Sequence, residues 1–216
     1  MGYYLVYVCN MKKCKICSEK FKPTFSSLQP TCTKPECLAA WGKREYAKQK
    51  LKEDKTWKKE ASERLMTSSD HLALLQKLIN RITAIIDGDM NCISCNAPIT
   101  PMNMANAGHR FSVNAHRHIR FNLHNIHRQG VCCNKWKSGN PDGYDEGLER
   151  IYGVDYAGYV KSLKHDQYDL RLTIPEITEA CKKAREFIKH INAIEDKSKV
   201  RIELRNLGNE RIGIYK

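Results

Sequence analysis

The chain has 216 residues, room for one or two small domains, and carries a net charge of +13 with a pI near 9.3. That balance points to a polyanionic partner, against a bland alternative in which the lysines only solvate the surface. No stretch approaches the length of a membrane span, so a membrane-embedded role is excluded.

The basic excess is concentrated early: residues 1–68 hold fifteen Lys or Arg against seven Asp or Glu, a net of +8. Lys and Arg at that density displace counterions from phosphates and give salt-sensitive affinity for nucleic acid. Ten cysteines raise the question of disulfides. The apolar run at 5–8 is too short for a secretory signal, and the lysines follow it instead of preceding it. The expected compartment is therefore a reducing cytoplasm, where paired C-x-x-C spacing reads as zinc binding.

In chain order, residues 1–10 read as a short strand or extension in which Cys9 has no assigned role, and Met11 is a candidate second start. Cys14, Cys17, Cys32 and Cys37 follow as two pairs, the set that a closed tetrahedral zinc site requires. Phe21, Phe25 and Leu28 are too few to form a free-standing core, so metal supplies the folding energy of this module. Two readings stand: a structural finger that also touches DNA, and a purely structural one.

From Leu38 to Met66 good helix formers dominate, with an interrupted apolar stripe at Leu38, Trp41, Tyr46, Leu51, Trp57 and Leu65. This is a basic helical linker or an arm that tracks phosphates. Ser68, Ser69 and Asp70 then cap a periodic helix carrying Leu72, Leu75, Leu78, Ile79, Ile82, Ile85 and Ile86, with Gly88 as its stop.

Residues 92–140 are where the chemistry concentrates. Cys92 and Cys95 have knuckle spacing, and Cys132 and Cys133 lie about forty residues on. Between these pairs sit His109, His116, His118, His124 and His127, together with Asn125; Asn134 follows the second pair. From Gly88 to Asn140 six Lys or Arg face one acid, Asp89, so the surroundings favour an anion and any catalytic metal would need mainly neutral ligands.

The words C-I-S-C at 92–95, A-G-H at 107–109, R-F-N at 120–122, N-I-H at 125–127 and C-N with K-S-G-N at 133–140 resemble the NinG (Rap) family of lambdoid phages. Those proteins are recombination endonucleases of branched DNA, within the broader HNH, or ββα-metal, nucleases. The likeness runs more loosely from about Cys14 to about Ile191. It implies that His109 is the general base that takes a proton from the attacking water, a task suited to an imidazole. It implies that Asn134, with Asn106 where relatives carry Asp, holds a catalytic Mg²⁺ or Mn²⁺, and that Asn125 braces the loop carrying the base. It also implies a second structural zinc on Cys92, Cys95 and Cys133. Relatives place the fourth cysteine where this chain has Gly130, leaving Cys132 or His127 to substitute. Arg110, Arg117, Arg120, Lys135 and Lys137 are expected to hold DNA phosphates.

S-G-N-P-D-G at 138–143 is turn chemistry, and two short helices follow. Thr173 to Glu176 has capping-box spacing before a helix with one apolar face through Ile191. The remainder alternates on both sides of an Asn/Gly turn and reads as a hairpin or a basic tail.

The expected fold is thus α+β and predominantly helical. Its parts are a zinc-finger module at 11–40, a basic helical linker at 41–68, an HNH-like core with its preceding helix at 69–141, a helical region at 142–196, and the tail at 197–216. The expected function is metal-dependent cleavage of Holliday junctions or D-loops by a homodimer, with the helices at 70–87 and 174–191 as the dimer contact. The alternatives are an HNH endonuclease acting on duplex DNA, and a zinc-finger DNA-binding protein whose nuclease site has decayed.

Overall fold

The computed structural model describes residues 11–167 and 170–215, and the expected strand at 1–10, with Cys9, lies outside them. The chain divides into two compact units, one ending at Leu65 and one beginning at Met66. Among the described residues, no helix is long and apolar enough to cross a membrane.

In the first unit, β1 (Lys12–Lys13) pairs antiparallel with β2 (Lys20–Phe21), and α1 (Pro35–Arg64) follows. Gln29 ties the intervening loop: its Oε1 accepts from the Thr24 and Phe25 amides at 2.8 and 3.1 Å, and its Nε2 donates to Thr31 O at 2.8 Å. Phe25 and Leu28 are exposed, so among the described residues only Ile16, Cys17 and Phe21 pack on the buried Cys14, Cys32 and Cys37. Helix α1 starts early enough to carry Cys37 in its first turn. Its later apolar residues Tyr46, Leu51 and Trp57 are exposed. It is held as a helix by propensity and by same-face polar pairs such as Lys48–Glu45 and Gln49–Glu53.

The second unit is built on α2 (Ser68–Ile86). Its cap is Thr67 rather than the serines after it: Thr67 Oγ1 accepts from the Asp70 amide, and the Asp70 carboxylate accepts from the Thr67 amide. Leu75, Ile79, Ile82 and Ile86 are wholly buried against α5 (Ile174–Asn192), which opens on the expected Thr173–Glu176 capping box and brings Ile177, Cys181, Ala184, Phe187 and Ile191. The two apolar stripes expected to make a dimer contact therefore meet each other within one chain.

The antiparallel hairpin β3 (Ala105–His109) and β4 (Ile126–Gly130) runs in the register Ala105↔Gly130 to His109↔Ile126. Ile126, with Phe121 and Leu123, joins the α2–α5 core. A second core lies under α3 (Pro141–Tyr152) and α4 (Val154–Ser162), where Tyr144, Leu148, Tyr156 and Val160 pack on Ile93, Phe111 and Ile119. Ser138, Gly139 and Asn140 all take positive φ (49°, 87° and 44°), the left-handed turn that launches α3.

Residues 201–212 form neither a hairpin nor a tail but a helix, α6 (Arg201–Ile212). The physical reason is that its buried positions Leu204, Gly208 and Ile212 recur every four residues, a helical period. Gly208 is required by packing, because a Cβ there would lie 2.5 Å from Leu123 Cδ1 and 2.8 Å from Phe187 Cε1. Arg205, wholly buried, pairs with Asp87 at the end of α2.

Candidate functional site

The first cysteine cluster brings the Sγ atoms of Cys14, Cys17, Cys32 and Cys37 within 4.8 Å of one another. The Cys17–Cys32 sulfur separation is 3.9 Å. Tetrahedral zinc with bonds of about 2.3 Å sets sulfurs about 3.8 Å apart, so the four fit that ion. The knuckle is shaped by Ser18, whose φ of 62° turns the chain so that its amide reaches Cys14 O at 2.9 Å. Burial acts to raise the Cys14 thiol, but the amides of Cys17, Cys32 and Ile16 outweigh it and bring the pKa down to about 6. Burial and the other three thiols push Cys37 up to about 12. Four thiolates in so small a space need a cation to hold the charge, which a divalent metal supplies.

The second cluster repeats this geometry around Cys92, Cys95 and Cys133. Asn96, at φ 57°, takes the place of Ser18, and its amide reaches Cys92 O at 2.9 Å. Cys92 lies below the usual thiol range: burial opposes this, while the amides of Gly130, Cys95 and Ser94 favour the thiolate. Gly130 therefore does for Cys92 what Cys32 does for Cys14, but brings no sulfur. The space its side chain would enter is filled by Asn103, whose Oδ1 lies 2.5 Å from an ideal Cβ.

Neither proposed substitute joins this cluster. Cys132 is exposed and outside it, because it and Cys133 are neighbours on one wide turn (Cys132–Trp136) and their side chains diverge. His127 is wholly buried elsewhere, with Nδ1 3.0 Å from Tyr144 Oη and Nε2 3.3 Å from Tyr156 Oη. Three thiolates from a preformed knuckle still suit zinc, with its fourth position outside the cysteines.

His109 ends β3, half-buried, with Nε2 3.1 Å from Arg120 O. That contact to a carbonyl requires the hydrogen on Nε2 and leaves Nδ1 as the acceptor. Burial holds the ring below the ordinary histidine range; the Arg120 charge adds to this, and the bond to Arg120 O opposes it. Asn125 spans the loop that follows: Oδ1 accepts from Phe111 N at 2.8 Å, and Nδ2 donates to Phe111 O at 3.0 Å.

Strand alternation separates Asn106 from His109. Asn106 pairs with Gln129 and His109 with Ile126, so they project to opposite faces of the hairpin. The Gln129 face meets the second knuckle, through Gln129 Nε2 to Ser94 Oγ and Gly139 O, both at 2.6 Å. Asn134 follows Cys133, a thiol of that knuckle, on the turn Cys132–Trp136. The register thus turns the Asn106 and His109 side chains away from each other. A Mg²⁺ ion held by Asn106 would lie on the hairpin face away from the His109 ring.

Two of the expected phosphate ligands already have partners. Arg110 donates from Nε and Nη2 to the Asp145 carboxylate at 2.5 and 2.8 Å, and Arg120 Nε donates to Gln76 Oε1 at 2.9 Å. Arg117, Lys135 and Lys137 are exposed. Sequence reading missed the buried polar chain His124–Tyr156–His127–Tyr144, which starts from the exposed Asn206 and ends where Tyr144 Oη donates to Gly108 O. Its only signal was the clustering of histidines and tyrosines at residues 124–159.

A family model described as Bacteriophage Lambda NinG protein matches residues 8–195. The chain is 30% identical to "Protein ninG" of Escherichia phage lambda, over 76% of this chain and 85% of that protein. It is 31% identical to "Protein ninG" of Enterobacteria phage H19B and 28% identical to that of Salmonella phage P22, spanning 86% and 87% of those proteins. No solved structure matches the chain significantly.

Proposed function

This chain belongs to the NinG family of lambdoid phage proteins, and from that premise we propose that it is an endonuclease of branched DNA in phage recombination, with His109 as the general base. The observation that carries the reading is the state of the His109 ring. It is held through Nε2 to Arg120 O, which leaves Nδ1 as its acceptor, burial lowers its pKa, and the sequence around it has no carboxylate from residue 90 to 141. Such a ring takes a proton from a water attacking a phosphodiester, and its lowered pKa favours the unprotonated form that this requires. Asn125 holds the loop beyond the ring, and Arg117 supplies an exposed charge for a neighbouring phosphate. The two cysteine clusters stabilise the units that present these groups, each with zinc.

The second reading is a zinc-stabilised DNA-binding protein that does not cut. It is favoured by the placement of Asn106 on the face opposite His109, which leaves one of the expected metal ligands apart from the base. Incubating the wild type and His109→Ala with a synthetic four-way junction, a linear duplex, and Mg²⁺ or Mn²⁺ separates these. Junction cleavage that falls by about 100-fold or more in the variant, with binding retained, is expected. Equal cleavage by both proteins removes His109 from the base role. Binding without cleavage by the wild type selects the second reading.

A further inference from the structure

The wide turn after β4 exposes a large aromatic ring in a setting that asks for a partner. Trp136 is 80% exposed, between the exposed Lys135 and Lys137. The turn beneath it is fixed: the Lys137 amide reaches Cys132 O at 3.1 Å, the Gly139 amide reaches Cys133 O at 3.0 Å, and Cys133 belongs to the second thiol cluster. Residues 102–104 abut its start, since the Val131 amide donates to Met104 O at 2.9 Å and the Cys132 amide to Asn103 Oδ1 at 3.3 Å. Met102 and Met104 are themselves 93% and 62% exposed.

We infer that Trp136 is a stacking platform for an unpaired nucleobase, with Lys135 and Lys137 on the flanking phosphates. Charge selects this occupant. The ring stands between two exposed lysines, and the sequence has no carboxylate from residue 90 to 141. A second copy of the chain would bring the same charge against it, whereas a polynucleotide brings the opposite one. Chemistry narrows it further. A base inside a duplex is stacked on both faces and has none to give an indole, while a base at a branch point or in a single strand does. The lysines bind any phosphate, so the indole adds preference for the unpaired state rather than for a sequence. This inference rests on the DNA-binding part of the proposed function and specifies where an opened strand is held.

The test compares full-length wild type with Trp136→Ala, Trp136→Leu and Trp136→Phe at one fixed salt concentration. The probes are an oligo-dT strand, a four-way junction with unpaired thymines at its crossing, and a perfect duplex. The Ala and Leu variants are expected to lose about 10-fold or more in affinity for the first two probes, while Phe retains most of it and duplex binding is unchanged. Zinc content equal to wild type shows that the knuckle remains folded. Unchanged oligo-dT affinity in Trp136→Ala, or an equal loss on all three probes, overturns the inference. A change confined to self-association in sedimentation assigns the patch to a second copy instead. A wild type that binds no DNA removes the underlying reading as well. A wild type that binds or cuts junctions, with Trp136→Ala indistinguishable from it, removes this inference alone.

Discussion

Arg205 and Asp87 form an ion pair with both side chains wholly buried, the guanidinium Nη2 lying 2.8 and 3.0 Å from the two carboxylate oxygens. The pair fastens α6 to the end of α2. Asp87 also accepts from the Arg128 amide at 2.9 Å, and Arg205 donates to Leu123 O and Ile126 O at 3.2 Å each, so the hairpin is held from both sides. Removing one partner strands a buried charge. Arg205→Met is therefore expected to cost about 3–5 kcal/mol, and Asp87→Asn a similar amount. The double variant is expected to recover much of the loss. Urea unfolding of all three against wild type measures this, and additive losses would show that the two groups act independently.

The sequence pattern made some of this architecture readable and hid the rest for identifiable reasons. Helices α2 and α5 were legible because each buries one face, so their apolar residues fall at the helical period. The first thiol cluster was legible because all its ligands come from two local pairs. Helix α6 was not, since one of its buried residues is an arginine and another a glycine, and hydropathy reads both as surface. The role of the histidines was hidden because burial, not spacing, decides it: His124 and His127 look like ligands or bases in the chain but serve as neutral core groups. Asn106 and His109 stand three apart in the sequence, and only the strand register shows that they face opposite ways.

The two thiol clusters predict two zinc ions per chain, each removed with its own ligands. Cys37→Ser and Cys133→Ser are each expected to lower the measured zinc by one equivalent, whereas Cys132→Ser leaves it unchanged. Elemental analysis after dialysis decides this. Loss of zinc in Cys132→Ser would mean that the neighbouring thiol turns inward when metal binds. Chelation is further expected to unfold the first unit before the second, because only the second has large apolar cores.

Gly147, on α3, lies against the second knuckle so closely that a Cβ would fall 1.7 Å from Ile93 O. Backbone on both sides leaves nothing flexible to yield. Gly147→Ala is expected to cost about 3 kcal/mol or more, and to loosen the second zinc site, since Ile93 lies within the Cys92–Cys95 knuckle. Gly158, on α4, has nothing within 4 Å of its would-be Cβ, so Gly158→Ala is expected to be neutral or to stabilise by about 0.5–1 kcal/mol. Thermal unfolding and zinc release of the two variants make the comparison, and equal effects would show that the α3 contact is not this tight.

The buried histidines set the acid limit of the fold. Burial lowers His124 to about 4, with the Arg205 charge adding and the Asn206 bond opposing, and it holds the wholly buried His127 well below the ordinary range. Unfolded, both rings titrate near pH 6.5. Between that value and the folded pKa the unfolded chain binds more protons than the native one, so stability rises with pH through this window and is lost as pH falls. Above about pH 7 both states hold neutral rings and the contribution is complete. For His124 alone the change from pH 7.5 to pH 4 amounts to about 3 kcal/mol by linkage. His124→Gln is expected to be less stable than wild type at neutral pH, through loss of its bonds to Tyr156 and Asn206, yet to show a flatter decline toward acid. Urea midpoints across this range for both proteins supply the slopes. Parallel curves would mean that His124 binds its proton equally in the folded and unfolded states, and that the acid sensitivity arises elsewhere.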